Sequence, residues 1–234
     1  MSLILQTSGS TGEPKFHSTD NARLAQILSR DIDAMGIAAN DRLLTFCPLN
    51  HGLGLYAVLA ALSAGGAVIL PHQFSRESLI AGLAQHPTWM VAVPPVLDAM
   101  YWAGRGDDRL KPLLSTVRFV RVGGAPLERQ SEEQFEKLFG IPVLNGYGCT
   151  EIPCITRSAI QGDNRRAGSV GKPVPGITVI IGNPAGEIWV SEDAGAHWHN
   201  TEDVGHFDSD GFLYIDQAHK PDSRKTWKER EVTC

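Results

Sequence analysis

The chain has 234 residues, 42% hydrophobic and 20% charged, with a formal net charge of −5. That mix holds enough apolar material for one large or two small cores and excludes a disordered chain. The acidity argues against a nucleic-acid binder working through bulk electrostatics, and the longest apolar stretch, Leu53 to Leu62, falls short of the ~20 residues of a membrane span.

The start, "MSLILQT", lacks the basic region and the apolar length of a signal peptide. Cys47, Cys149, Cys154 and Cys234 form neither a disulfide framework nor a C-x-x-C pair. The expectation is a soluble, cytoplasmic protein without a membrane or nucleic-acid partner.

"QTSGSTGEPK" (6–15) is rich in glycine and hydroxyls and ends in lysine. Glycines let backbone approach a phosphate, hydroxyls donate to it and lysine offsets its charge. The run is not a Walker A loop, because Glu13 and Pro14 separate Gly12 from Lys15. A solvated turn before a helix has the same composition. The helix is expected next, with Leu24, Ile27, Leu28, Ile32 and Met35 on one face, a Ser18 or Thr19 cap and a Gly36 stop.

Short apolar runs then alternate with helical stretches. "RLLTFC" precedes "GLGLYAVLAALSAG", "AVILP" precedes "RESLIAGLAQH", and "WMVAVP" precedes "PVLDAMYWAG". "VRFVRVGG" precedes "LERQSEEQFEKLFG", and "PVLNGYG" comes last. This alternation predicts βαβ units and a parallel sheet buried on both faces. The helix around Tyr56 is apolar nearly all round and is expected to be buried. From Gly168 the pattern changes to glycine- and proline-punctuated runs with turns at "NPAG" and "DSDG", which predicts a small antiparallel β unit. The expected organisation is an α/β nucleotide-binding unit (1–165), a small antiparallel β unit (166–216) and a tail (217–234).

Two glycine-rich segments, "VGGAPL" (122–127) and "NGYGCTE" (145–151), follow predicted parallel strands. Open α/β sheets bind ligands there, beyond the carboxyl ends of their strands. Tyr147 offers a flat face to a base, and Thr150 and Glu151 offer oxygens to a phosphate and its Mg²⁺. Asp203, read as lying between a strand and a turn, is suited to the hydroxyls of a ribose. His197, His199 and His206 have a metal-like composition but read as surface histidines, and "DSDG" lacks the remaining ligands of a calcium loop. Ser8 and Ser10 lack a nucleophile elbow.

In this order the segments resemble the acyl-adenylate-forming superfamily of acyl- and aryl-CoA ligases, peptide-synthetase adenylation domains and luciferases. "TSGSTGEPK", "GGAPL", "NGYGCTE" and the run "GSVGKPVPG…GEIWV…TEDVGHFDSDGFLYI" carry the resemblance, which is closest to the acyl- and aryl-CoA ligases. It implies that Thr7, Ser8, Gly9, Ser10, Thr11, Gly12 and Lys15 hold the ATP phosphates. Gly123, Gly124, Ala125 and Pro126 would flank the adenine, with Asn145, Gly146, Tyr147 and Gly148 beside it. Thr150 would contact the α-phosphate, Glu151 the Mg²⁺ and Asp203 the ribose, with Lys15, Thr150 and Glu151 acting in catalysis. His51 and Gly146 would border a pocket for a small carboxylic acid.

The implied reaction joins acid and ATP into acyl-AMP and then passes the acyl group to the thiol of CoA or of a carrier protein's phosphopantetheine. Cys149 would be only a small filler. Relative to the family the chain looks shortened at both ends, which implies a homo-oligomer or a complementing partner chain. The alternative is a degenerate nucleotide-binding subunit with a regulatory or scaffolding role. Phe16 follows the loop lysine where the family has glycine, and the arginine expected near Ala218 is absent.

Overall fold

The computed structural model describes residues 2–7, 15–160, 165–182 and 186–218. Ser2–Thr7 (β1) and Lys15–Asp20 (β2) pair as an antiparallel hairpin, with Leu5 opposite His17 and Thr7 opposite Lys15. The first helix, α1 (Asn21–Met35), therefore starts later than a Ser18 or Thr19 cap would place it. Both residues belong to β2, and Thr19 is buried. Pairing with β1 satisfies their backbone, so the cap passes to Asp20, which accepts the Arg23 N–H at 2.9 Å. Gly36 ends α1 as expected, at φ 57°, a left-handed conformation that suits glycine.

The alternation then runs as the sequence predicts. β3 (Arg42–Thr45), α2 (Gly52–Ser63), β4 (Ala67–Ile69), α3 (Arg76–Leu83), β5 (Trp89–Ala92) and α4 (Pro94–Gly106) follow in turn. A one-turn α5 (Leu110–Leu113), β6 (Val120–Val122), α6 (Arg129–Phe139) and β7 (Val143–Tyr147) complete it. Two-residue strands β8 (Thr156–Arg157) and β9 (Lys172–Pro173) extend the sheet, whose order is β4-β3-β5-β6-β7-β8-β9. The first five strands are parallel, and β7, β8 and β9 pair antiparallel. A second, antiparallel sheet holds β10 (Thr178–Ile181), β11 (Glu187–Ser191), β12 (His199–Phe207) and β13 (Leu213–Gln217).

Period-two alternation divides the core between the two faces of the large sheet. Leu43, Val91 and Leu144 pack with Ile27, Met35 and Tyr56 of α1 and α2. Their neighbours Leu44, Met90 and Val143 pack with Leu79, Leu97 and Phe135 of α3, α4 and α6. Every residue of β5 and β6 is buried, as a parallel strand covered on both faces should be. α2 is less enclosed than its composition suggests, because Leu62 near its end is 55% exposed.

Two buried polar contacts fix the sheet to its surroundings. Asp31 of α1 accepts from Arg121 of β6 at 2.8 Å and from Arg157 of β8 at 2.6 Å. Burial pushes the Asp31 carboxyl up, but the two guanidiniums outweigh it and hold it below the usual carboxylate range. Glu132 of α6 accepts the Gly168 N–H at 3.0 Å where the chain leaves the α/β layer. Burial raises its pKa to about 7.

Candidate functional site

The parallel register of β6 and β7 puts Val122 opposite Asn145, so the segments leaving the two strands emerge side by side. A Cβ on Gly123 would lie 3.5 Å from the Gly146 carbonyl oxygen and 3.5 Å from Leu53 of α2. Leu53 follows His51, the exposed N-cap residue of α2, whose carbonyl accepts the Leu55 N–H. The glycine segment after β6, Gly146 and the start of α2 are therefore neighbours at the carboxyl edge of the sheet. Gly123 is buried, whereas Gly124, Ala125 and Pro126 are exposed. Asn145 is buried beneath this edge, where it donates to the Ser169 carbonyl at 3.1 Å and accepts the Gly146 N–H at 3.0 Å. It orients the strand end.

Beyond Tyr147 the chain folds back on itself. The Cys149 N–H donates to the Ile152 carbonyl and the Ile155 N–H to the Tyr147 carbonyl. A Cβ on Gly148 would come within 2.4 Å of the Pro153 carbonyl oxygen, so this turn accepts only glycine there. Half-buried Thr150 and Glu151 lie in the turn. The Glu151 carbonyl accepts from the Arg23 guanidinium in the first turn of α1, and the same nitrogen pairs with Glu192 at 2.5 Å.

The Tyr147 hydroxyl donates to the Asp203 carboxylate, joining the end of β7 to the second sheet. Burial first, and Asp203 second, raise the phenol's pKa, so Tyr147 remains a neutral donor. Asp203 lies inside β12, not between a strand and a turn. The strand runs through its position because it pairs on both sides, although Glu202 just before it has φ 63° and the register against β13 shifts between Val204 and Gly205.

The histidines separate into different roles. Exposed His197 pairs with Asp193 at 2.5 Å and exposed His206 with Asp216 at 2.8 Å. His199 is half-buried and does not fit the surface reading. Its Nε2 lies 3.9 Å from the Cys149 sulfur. Cys149, Glu151 and His199 form a group whose ligand atoms lie within 4.8 Å of one another. Burial first, with the adjacent Glu151 carboxylate adding to it, pushes the Cys149 thiol up to about 12. Sequence reasoning set His199 aside as a surface histidine and missed Arg23, because no local spacing links residue 149 to 199 or residue 23 to 151.

Ser8, Gly9, Ser10, Thr11 and Gly12 lie outside the described residues. The backbone places Thr7 and Lys15 at the facing ends of β1 and β2 that flank them. Among the described residues no helix is long and apolar enough to cross a membrane.

An open α/β sheet whose glycine-rich strand ends gather at its carboxyl edge belongs to the class of folds that bind ligands at that edge. The family model for AMP-binding enzymes matches residues 1–198, and the chain belongs to that family. It is 32% identical to the indoleacetate–CoA ligase of Aromatoleum aromaticum over 93% of this chain and 48% of that protein. It is 29% identical to the oxalate–CoA ligase of Arabidopsis thaliana, over 91% of this chain and 47% of that one. A malonyl-CoA ligase solved with methylmalonyl-CoA and AMP bound superposes with a TM-score of 0.82 at 29% identity, covering 91% of this chain and 52% of that one. The chain thus spans about half the length of the relatives it matches.

Proposed function

We propose that this chain carries the adenylating core of an acid–thiol ligase. In this reading it joins a small carboxylic acid and ATP into acyl-AMP and pyrophosphate, for transfer to the thiol of CoA or of a carrier-protein phosphopantetheine. The observation that carries the reading is the hydrogen bond from Tyr147 to Asp203. It brings the side chain assigned to the base and the one assigned to the ribose into one site from two different sheets. Gly123 to Pro126 would lie along the adenine, the 7–12 run and Lys15 would hold the phosphates, and His51 with Gly146 would border the acid.

Two anions, carboxylate and phosphate, must meet. Lys15 on the leaving pyrophosphate and the Thr150 hydroxyl at the α-phosphate would offset their repulsion as the transition state forms. Glu151 beside Thr150 presents oxygens in a half-buried turn, a donor set that fits a Mg²⁺ retaining several waters. Bound there, the ion would neutralise charge on the phosphates. The nucleotide unit is assigned to the α/β layer, which through β9 reaches Pro173 rather than ending at 165, and the antiparallel unit to β10–β13, in a cytoplasmic protein. Association with a second copy or a complementing chain is part of this reading, in which the exposed side chains of Ile4, Phe16 and Leu62 would be covered.

ATP–pyrophosphate exchange against a panel of carboxylic acids tests the reading. Exchange with at least one acid is expected, and Glu151→Gln should remove it while AMP still raises the melting temperature. Tyr147→Ala should abolish the AMP-induced shift. Absence of both shift and exchange would refute the reading. Nucleotide binding without exchange, with or without candidate partners, would favour the regulatory subunit instead.

A further inference from the structure

Cys149, Glu151 and His199 converge from two separate parts of the fold. Cys149 and Glu151 belong to the turn after β7, whereas His199 opens β12 of the antiparallel sheet. All three are half-buried, and their ligand atoms already lie within 4.8 Å of one another. The sulfur-to-nitrogen separation of Cys149 and His199 is 3.9 Å. A tetrahedral ion about 2.3 Å from sulfur and about 2.0 Å from nitrogen sets those two atoms roughly 3.5 Å apart. Small side-chain rotations therefore close the group around one ion.

The donor set selects the ion. Magnesium takes hard oxygens, whereas a thiolate, an imidazole and a carboxylate together suit zinc. Three protein ligands leave a fourth position open to water, as in zinc sites that are not purely structural. A packing role alone would explain Cys149, which lies against the apolar core under the second sheet. It does not explain why an imidazole nitrogen and a carboxylate both approach its sulfur.

We propose that Cys149, Glu151 and His199 form a zinc-binding site. Binding displaces the thiol proton to solvent and joins the β7 turn to β12 through the ion. The consequence for activity rests on the reading above. If Glu151 holds magnesium during adenylation, zinc on the same carboxylate excludes it and inhibits the reaction.

Co²⁺ is the probe, added to the nucleotide-free, metal-stripped chain. A single bound Co²⁺ with thiolate-to-cobalt charge-transfer absorption is expected, and added Zn²⁺ should abolish it by displacement. Cys149→Ser should remove the absorption, and His199→Ala should weaken binding by more than about tenfold, the loss seen even for outer-shell partners of metal sites. No charge-transfer band in the unmodified chain would overturn the site. So would an undiminished band in a folded Cys149→Ser protein, which would assign it to another cysteine. Magnesium-supported exchange is then measured with and without Zn²⁺. Inhibition in the unmodified chain that is relieved in Cys149→Ser supports the shared carboxylate, and equal inhibition in both refutes it. A cobalt signal without exchange under any condition upholds the metal site and counts against the adenylation reading alone.

Discussion

Two polar assemblies in this molecule do opposite things with their charges. In the first, Asp31 is closed between Arg121 and Arg157, all three 6% exposed or less. In the second, at the end of β7, Tyr147 meets Asp203, and Cys149 meets His199 and Glu151, all half-buried. The first gives its carboxylate both partners from within the chain and leaves it nothing to offer a ligand. The second is built from residues that are only partly buried and come from two separate parts of the fold. Charges locked away from water stabilise only by being matched, whereas charges at a rim remain available for chemistry.

The largest effect is expected from breaking the closed assembly. Asp31→Asn leaves two guanidiniums buried without their counter-charge and should cost about 3–5 kcal/mol in denaturant unfolding. An equally mild cost for Asp31→Asn and Tyr147→Phe would erase the contrast between the two assemblies.

Glu132 supplies the next test, because it is buried like the first assembly but has no guanidinium bonded to it among the described contacts. Its pKa is raised from 4.5 to about 7, so the folded state holds the proton more tightly than the unfolded chain. The associated stability is complete below pH 4.5 and is lost as pH rises through about 7. Glu132→Gln keeps an acceptor for the Gly168 N–H and removes the titration. It should raise stability at pH 8 by on the order of 2–3 kcal/mol relative to the parent, with little difference at pH 4. Urea midpoints across that pH range would show it.

Smaller effects belong to the open assembly. Tyr147→Phe removes one hydrogen bond to a carboxylate that water can still reach, and should cost about 1–2 kcal/mol. Ala194→Gly, in the exposed loop before β12, should change stability least, by a gain of about 1 kcal/mol, since Ala194 holds a left-handed backbone that glycine adopts without strain. Thermal melts of the two variants, side by side, order them.

What the sequence made legible follows the range of the interactions. The spacing of Leu24, Ile27, Leu28, Ile32 and Met35 places α1, and the apolar runs at 89–92 and 120–122 place the buried strands, because each pattern completes itself within a few residues. The β1–β2 hairpin was hidden because the phosphate-loop composition reads directly into the helix, and β8 and β9 are too short to show any period. The placing of Gly123 and Gly146 after parallel strands was legible from the alternation of strands and helices, and the pairing of β6 with β7 makes them neighbours. By contrast, Asp31 meets Arg121 and Arg157 across 90 and 126 residues, and Cys149 meets His199 across 50. Tertiary packing alone creates such pairs, and no window of sequence carries their signal.

The hold of α1 on the second sheet sets a rule for recombining this fold. Arg23 and Arg30, about two helical turns apart, both reach Glu192 beyond β11. Asn145 likewise reads the Ser169 carbonyl, and the Ser169 hydroxyl reads that of Leu213. A hybrid that imports the segment after Gly168 from a relative must bring an acidic residue to position 192, or replace both arginines with it. Transplants that respect this match should keep the two sheets in register, and those that ignore it strand two cations at the seam.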